Sequence, residues 1–355
     1  MPKNPTQAVY SRLPGTLLPW YAREKRDLPW RRDREPYHIL VSEIMLQQTR
    51  VEAVRGYYDR FLTALPTIGS LAACPEEQLL KLWEGLGYYS RARNLQKSAR
   101  VIVDTYAGRF PDTYEGLLSL PGVGPYTAAA VASICFEQPC AAVDGNVLRV
   151  IARLTGDDRP IDLSQVKREI ADRLEQIYPQ GHCGDFTQAM MELGATLCTP
   201  RSPECARCPA EAFCTARRQN RTAELPVRSP KKAKRVEERT VFLLQCGEDF
   251  ALCRREEKGL LSGLWQFPNT AGHLSPSQAL DWVQTAGAQP TDLCRSVRRT
   301  HIFTHIRWEM IGYHILCAQP VEGFTWGSLQ TIREKYALPT AFRLFLEEMP
   351  GTNQA

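Results

Sequence analysis

The sequence predicts two domains, an all-α half followed by an α+β half. The chain has 355 residues, and a typical domain takes about 100–200. From residue 7 to about 198, apolar residues recur at helical spacing and Gly or Pro marks the joints between segments. After about residue 235, strand-like runs alternate with tight turns. Residues 219–235 between the halves are polar, basic and interrupted by Pro, which is typical of a linker.

In the first half, four segments carry clear helix signals. Pro36 suits the first position of a helix that runs to Leu46. Apolar residues at 163, 166, 170, 174 and 177 recur with the period of an amphipathic helix. Pro125 suits the start of another helix, and Asp144 opens one that runs to Leu154.

The second half carries two strand pairs and two helices. A Gly247-Glu248-Asp249 turn between apolar runs predicts a hairpin. The expected strands are Thr240–Leu244 with Phe250–Cys253, and His301–Thr304 with Trp308–Leu316; the expected helices lie near 276–285 and 339–348.

Composition excludes several classes of protein. Hydrophobic residues make up 43% and charged residues 23%, which excludes a disordered or fibrous chain. No run reaches about 18 uncharged apolar residues, so no transmembrane helix is expected. Met1–Pro5 lacks the apolar stretch of a secretion signal, so we expect a cytoplasmic protein with reduced thiols. The net charge of +5 is too small to identify a nucleic-acid partner.

Four of the twelve cysteines fall within 17 residues: Cys198, Cys205, Cys208 and Cys214. Their spacing, C-x6-C-x2-C-x5-C, predicts a metal site and is compatible with either zinc or an iron–sulfur cluster. Prolines interrupt any helix in this segment, so a bound metal would replace the apolar core that it cannot build. The other eight cysteines are expected to behave as small core residues.

The run Leu120-Pro121-Gly122-Val123-Gly124 has the form of a helix-hairpin-helix turn. Gly122 and Gly124 allow backbone amides to point outward, and the helix from Pro125 adds its positive end, so the turn can grip a DNA phosphate. The alternative is an ordinary glycine-containing turn between two helices.

Two acidic residues suggest cleavage of a glycosidic bond. Glu43 lies among apolar residues, which should raise its pKa and keep a proton on it near neutral pH. Asp144 opens a helix, whose amides favour the carboxylate. A neutral acid can protonate a leaving group while a carboxylate stabilises the cationic sugar. The alternatives are an N-cap for Asp144, which the local sequence favours, and an exposed residue for Glu43.

Together these motifs resemble the MutY-type adenine DNA glycosylases of the helix-hairpin-helix, or endonuclease III, superfamily. The resembling blocks are Leu28–Arg31, Ser42–Thr49, Gly85–Leu95, the Leu120–Gly124 turn, Val143–Val147 and the four cysteines. The resemblance implies a multidomain protein with an all-α helix-hairpin-helix glycosylase domain (1–218, hairpin at about 119–135, [4Fe–4S] cluster loop at 198–214). A linker (219–235) and a C-terminal α+β Nudix-like domain for 8-oxoguanine recognition (236–350) would follow.

The resemblance also implies roles for individual residues. Glu43 would protonate adenine N7, and Asp144 would stabilise the sugar cation, with Tyr126 and Asn146 ordering the site. The implied DNA contacts fall into four groups. The adenine pocket would be lined by Trp30, Arg31, Leu46 and Gln188, and the 8-oxoguanine strand would be held by Gln47, Gln48, Thr49, Leu86 and Tyr88. The 8-oxoguanine base would be contacted by Phe303, Thr304 and His305, and the DNA backbone by Gly122 and Gly124. The implied partner is duplex DNA that contains adenine opposite 8-oxoguanine or G. The protein would bind this DNA as a monomer, at the nucleoid, and would leave an abasic site.

Some residues differ from the patterns of related families, and these differences bear on the expected activity. Endonuclease III-like relatives with lyase activity carry lysine where this chain has Tyr126, and tyrosine cannot form a Schiff base, so a monofunctional glycosylase is expected. Gly263–Pro268 matches the Nudix-like domain, whereas the metal-binding pyrophosphatase signature is absent from 269–295. Thr304 replaces the family's serine, and some relatives carry Glu at the position of Gln188. The alternative function is an endonuclease III-like glycosylase that acts on oxidised pyrimidines.

Overall fold

The computed structural model describes residues 5–230, 233–256 and 258–346, and its chain forms two compact units. The first, called here the helical unit, comprises residues 1–73 and 93–230. The second, the sheet unit, comprises residues 74–92 and 231–355. Residues 74–92 therefore group with the C-terminal part of the chain, although the expected boundaries assigned them to the first domain.

Helices dominate the helical unit. They are α1 (Pro5–Glu24), α2 (Pro36–Leu46), α3 (Val51–Ala64), α4 (Ile68–Ala73), α6 (Ser90–Tyr106, which begins in the sheet unit), α7 (Tyr114–Leu118), α8 (Pro125–Phe136), α9 (Gly145–Thr155), α10 (Ser164–Glu175), α11 (Cys183–Thr196) and α12 (Thr215–Arg218). As predicted, Pro36 and Pro125 start α2 and α8, and Asp144 caps α9.

The core of this unit forms where α1, α9 and α11 meet. Buried Leu13 and Leu17 of α1 pack with Val150 and Leu154 of α9 and with Leu193 of α11. The packing fixes the N-terminus of α9, where Asp144 lies, relative to α11.

The segment 219–235 differs from the expectation of a linker. Leu225 is 1% exposed and belongs to the helical core. The Ile161 amide donates to Val227 O (3.0 Å), and the Ser229 amide donates to Asp162 Oδ1 (2.8 Å). Leu225 and Val227 supply apolar surface within a polar stretch, and their burial holds the backbone as far as residue 230 on the helical unit. The strand that follows begins at Arg235.

The sheet unit contains β1 (Arg235–Cys246), β2 (Asp249–Arg254), β3 (Trp265–Gln266), β4 (Asn269–Ala271), β5 (Pro290–Ile302), β6 (Ile306–Cys317) and β7 (Thr325–Ser328), with α5 (Glu76–Leu82), α13 (Pro276–Thr285), α14 (Leu329–Lys335) and α15 (Thr340–Leu346). The strand order is β3-β2-β1-β6-β5, with β4 on β1 and β7 on β2. Strands β1 and β6 are parallel, and the other pairs are antiparallel.

Both predicted strand pairs are present. β1 and β2 meet at Cys246 and Asp249 across a two-residue turn, and β5 and β6 pair from Pro290 to Cys317. Residues 303–304 lie in the turn between β5 and β6 rather than in a strand. The predicted helix near 339–348 is observed as α15, and residues 347–350 lie outside the described residues.

Helices cover both faces of the sheet. Val283 of α13 packs with Phe242 and Tyr313 on one face, and Phe342 of α15 packs with Leu243 and Trp308 on the other. None of the described helices is long and apolar enough to cross a bilayer.

Candidate active site

A cavity of about 670 Å³ opens in the helical unit and gathers most of the predicted site residues. Among its lining residues are Trp30, Arg31, Glu43, Leu46, Gln47, Gln48, Thr49, Gly122, Gly124, Tyr126, Asp144, Asn146 and Gln188. They come from the turn before α2, from α2 and the segment after it, from the α7–α8 turn and the first turn of α8, from the start of α9 and from the middle of α11.

Glu43 lies on the buried face of α2, and its side chain has one prominent partner. The residue is 6% exposed, and Tyr126 Oη donates a hydrogen bond to Glu43 Oε2 (2.7 Å). Burial raises the pKa of Glu43 to about 7, with nearby Asp144 acting in the same direction and the Tyr126 hydrogen bond opposing it. Glu43 is therefore not an exposed surface residue, and it carries a proton in part of the population at neutral pH.

Asp144 is more strongly held than Glu43. Its Oδ1 accepts the amides of Asn146 (2.8 Å) and Val147 (2.7 Å), and its Oδ2 accepts Asn146 Nδ2 (2.7 Å). Burial raises the pKa of Asp144, whereas these hydrogen bonds and the charge of Arg149 lower it, and the net direction is upward. Three donors on two oxygens favour the carboxylate form. Asp144 therefore caps α9 and also lines the cavity, so the structural and the functional interpretation of this residue are compatible.

Sequence reasoning missed Arg149, which orients the amide of Asn146. Arg149 Nη2 donates to Asn146 Oδ1 and to Gly194 O (both 2.8 Å), and Arg149 Nε donates to Cys198 O (2.8 Å). With Oδ1 occupied by Arg149, Nδ2 of Asn146 points to Asp144. The local signal was the i, i+3 spacing of Asn146 and Arg149 on α9, but the contacts with residues 194–198 depend on the fold.

Sequence reasoning also missed Glu192, which holds two arginines of the cavity wall. Its side chain is fully buried and accepts hydrogen bonds from Arg26 N, Nε and Nη2 and from Arg31 Nη2 (2.8–3.0 Å). Burial raises the pKa of Glu192, but the hydrogen bonds from Arg26 and Arg31 outweigh it and bring the pKa to about 2. Arg31 is therefore held at the cavity wall by its ion pair with Glu192.

Gln188 presents one end of its amide to the cavity. Tyr21 Oη donates to Gln188 Oε1 (3.0 Å), which leaves the Nε2 group to face an acceptor. Trp30 and Leu46 add apolar wall, and Trp30 is braced edge-on by the ring of Tyr58 (5.5 Å).

The predicted hairpin joins α7 to α8. Gly122 has a φ of +75°, and a Cβ there would lie 2.4 Å from Asn94 Cβ, so only glycine fits. Gly124 caps α8, whose first turn leaves amide groups without intrahelical partners. The turn therefore has the geometry of a phosphate-binding helix start, on the rim of the same cavity.

The segment after α2 also borders the cavity. Gln48 has a φ of +59°, an unusual conformation for a residue other than glycine. Gln47 Nε2 donates to Thr127 Oγ1 of α8 (3.3 Å). This contact ties the start of the segment to the hairpin helix.

The four clustered cysteines line one small cavity together with Arg153. Arg153 donates to Cys198 Sγ (3.4 Å), Thr199 O (2.7 Å) and Pro200 O (3.0 Å), so a buried cation organises the loop around the thiols. All four thiols are free. Within the described residues, no group of three or more His, Cys, Asp or Glu side chains is arranged to hold a single metal ion.

The other predicted residues belong to the sheet unit. Tyr88 Oη is hydrogen-bonded to Thr304 Oγ1, and Leu86 is buried nearby in sequence. Phe303 packs edge-on against Trp308 (4.9 Å), and His305 O accepts the amide of Arg235 (3.0 Å). Phe303, Thr304 and His305 thus form the turn between β5 and β6, with Thr304 and His305 exposed at its tip.

Comparison with known proteins agrees with this arrangement. Residues 41–176 match the HhH-GPD superfamily of base excision DNA repair proteins, and residues 240–348 match the NUDIX domain family. The adenine DNA glycosylase of Homo sapiens is 34% identical over 409 residues, which cover 95% of this chain and 74% of the human protein. The chain belongs to the adenine DNA glycosylase family. Its C-terminal part accordingly has a Nudix-like fold.

Solved DNA-repair enzymes resemble about three fifths of this chain. A thermostable thymine-DNA glycosylase is 32% identical with a TM-score of 0.55, and it covers 61% of this chain and 100% of its own. An endonuclease III in a trapped covalent intermediate with DNA is 29% identical with a TM-score of 0.52, over 61% and 98%. The family assignment, which spans nearly the whole chain, makes this protein a monofunctional DNA glycosylase of base excision repair whose partner is duplex DNA.

Proposed function

We propose that this chain hydrolyses the N-glycosidic bond of adenine paired with 8-oxoguanine or G in duplex DNA and leaves an abasic site. One observation carries the proposal: Glu43 and Asp144 line the same cavity in contrasting environments. Glu43 is buried and accepts a hydrogen bond from Tyr126, and Asp144 accepts hydrogen bonds from two amides and the Asn146 side chain at a helix N-terminus.

Glu43 is the general acid in this mechanism. With a pKa of about 7 it holds a proton at neutral pH and can deliver it to N7 of adenine. Tyr126 occupies Oε2, which leaves Oε1 to carry that proton. After the adenine departs, the resulting Glu43 carboxylate assists the attack of water on the sugar.

Asp144 stabilises the cation that forms on the sugar as the base leaves. The amides at the start of α9 and the Asn146 side chain fix both of its oxygens, so the carboxylate need not reorganise during the reaction. Arg149 locks Asn146 in turn and acts as a positioning residue.

The cavity receives a base that has been flipped out of the duplex. Trp30 and Leu46 provide apolar walls, while Arg31 and Gln188 provide fixed donors. Gly122, Gly124 and the start of α8 contact the DNA backbone, and Gln47, Gln48 and Thr49 occupy the gap in the stack.

The sheet unit reads the opposite base. Phe303, Thr304 and His305 contact 8-oxoguanine, and Leu86 and Tyr88 contact its strand. Exposure of Thr304 and His305 at a turn and the hydrogen bond between Tyr88 and Thr304 support this assignment.

Cys198, Cys205, Cys208 and Cys214 would hold a [4Fe–4S] cluster. Four free thiols around one cavity are the ligand set that such a cluster takes. The cluster supplies structural stability to this loop. Iron and sulfide analysis should give four of each per chain, and Cys205→Ser should lower both, whereas Cys246→Ser, outside the loop, should not.

Base release from defined duplexes tests the reaction. End-labelled duplexes carrying adenine opposite 8-oxoguanine, adenine opposite T, or thymine glycol opposite adenine are incubated with the protein and treated with alkali. We expect alkali-dependent cleavage at adenine opposite 8-oxoguanine alone. Cleavage of the thymine glycol duplex alone would favour the endonuclease III-like alternative and overturn the proposal.

Variants separate the chemistry from binding. Glu43→Gln should abolish cleavage while duplex binding persists, and Glu52→Gln, an exposed glutamate on α3, should behave as the native chain. Borohydride should trap no covalent adduct, because Tyr126 cannot form an imine. Sedimentation of the free protein should give the mass of a monomer.

A further inference from the structure

We propose that Glu84 is a positioning residue for lesion recognition: it docks the segment 74–92, which carries Tyr88, on the C-terminal part of the sheet unit. The inference rests on the proposed reading of 8-oxoguanine and assigns part of that specificity to a residue with no DNA contact of its own. The segment belongs to the sheet unit although about 140 residues separate it from β1 along the chain.

Glu84 lies two residues after the end of α5, and its carboxylate anchors the segment. Its Oε1 accepts the backbone amide of Leu338 (2.8 Å), and its Oε2 pairs with Lys81 Nζ (2.6 Å). Lys81 Nζ also donates to Tyr336 O (3.2 Å). The Glu84 carboxylate and the Lys81 ammonium group thus both bind the backbone of the turn between α14 and α15.

The docking point is well packed and largely shielded from water. The side chains of Lys81 and Glu84 are 22% and 16% exposed, which places their ion pair well below full solvent screening. Leu338 is buried in the core of the sheet unit, and Tyr336 packs edge-on against Trp265 (4.6 Å).

Hydrogen bonds within the segment connect the region of Glu84 to Tyr88. Trp83 Nε1 donates to Gly87 O (3.1 Å), and Arg91 Nη2 donates to Leu86 O (2.9 Å) and Gly87 O (3.2 Å). The Arg91 guanidinium also lies 5.5 Å from the centre of the Tyr88 ring.

The tip of the segment is bound as well as its base. Tyr88 Oη meets Thr304 Oγ1, so the segment contacts the C-terminal part of the chain at two separated points. Tyr88 and Thr304 are therefore presented to the DNA as one surface. Releasing the anchor at Glu84 would free Tyr88 to leave Thr304 without disturbing Glu43 or Asp144.

Discrimination between 8-oxoguanine and G opposite adenine tests this role. Single-turnover rates on the two duplexes are compared for Glu84→Leu, Glu84→Gln and the control Glu77→Gln, an exposed residue of α5. We expect Glu84→Leu to lower the preference for 8-oxoguanine about tenfold, chiefly through the 8-oxoguanine duplex. Glu84→Gln keeps an acceptor for the Leu338 amide and should lose less, and Glu77→Gln should match the native chain.

Hydrogen exchange of residues 74–92 provides a readout that does not depend on the reaction. Glu84→Leu should speed exchange there while α9 keeps its protection, and Lys81→Met serves if the first variant does not fold. Unchanged exchange would overturn the docking, and faster exchange with native discrimination, or an equal loss on both duplexes, would overturn the specificity role. If the native chain releases adenine from neither duplex, the proposed function fails instead, and exchange still decides the docking.

Discussion

At the scale of single residues, the site depends on two carboxyl groups in contrasting surroundings. Glu43 is buried beside one donor, and Asp144 has its oxygens occupied by donors from α9. The difference was foreseeable from their sequence neighbours, because apolar residues surround Glu43 and a helix starts after Asp144. The contacts of Glu192 could not be foreseen, because Arg26 lies 166 residues away along the chain, and the hydrogen bonds from Arg149 to Gly194 O and Cys198 O likewise depend on the fold.

Burial of Glu43 should cost stability, and the cost should depend on pH. Because the pKa of Glu43 is about 7 in the folded chain and 4.5 in the absence of burial, the folded state binds more protons than the unfolded state between these values. The contribution of Glu43 to the free energy of unfolding therefore falls as pH rises from about 4.5 to 7 and stays constant above pH 7. Glu43→Gln should raise the free energy of unfolding by about 2–3 kcal/mol above pH 7 and by little near pH 4.5. Urea unfolding at several pH values measures this, and equal effects at all pH values would contradict it.

Tyr126 should set the alkaline limit of the reaction. Its hydrogen bond lowers the pKa of Glu43, so Tyr126→Phe should raise that pKa and move the alkaline limb of the single-turnover rate to higher pH. Tyr114→Phe, outside the cavity, should leave the limb near pH 7. A limb that stays in place or moves to lower pH in Tyr126→Phe would exclude this role for the hydroxyl.

At the scale of elements, helix starts do most of the positioning. α8 begins at the hairpin and α9 begins at Asp144, so both present amide groups to the same cavity. Pro125 and Asp144 marked these starts in the sequence, which is why both helices were predicted correctly. The packing of segment 219–230 was not predicted, because composition alone does not show that Leu225 finds a place in the helical core.

Gly122 should be far less tolerant of substitution than Gly124, two residues later. A side chain at 122 would adopt a positive φ and clash with Asn94, whereas a Cβ at Gly124 meets nothing within 4 Å. Gly122→Ser should therefore cost about 2 kcal/mol or more, and Gly124→Ser, which keeps a good N-cap, about 0.5 kcal/mol or less. Urea unfolding of the two variants compares them directly. Equal losses would show that the hairpin turn relaxes around a side chain.

At the scale of the whole molecule, the order of the chain differs from the order of its compact units. Residues 74–92 interrupt the helical unit in sequence and fold with the C-terminal part in space. Local patterns cannot show this, since the decisive contacts join residues 254 or more positions apart. The same contacts make the protection of α5 dependent on the far end of the chain.

Removal of residues 231–355 should therefore expose α5 in particular. The shortened chain loses the partners of Lys81 and Glu84 at residues 336 and 338, so amide exchange in α5 should approach that of an unfolded segment. Helix α9, whose core partners lie in α1 and α11, should keep its protection and serves as the internal control. Exchange measured by mass spectrometry on both chains decides the matter. Native protection of α5 in the shortened chain would mean that the helical unit alone holds this helix, and that Glu84 anchors nothing.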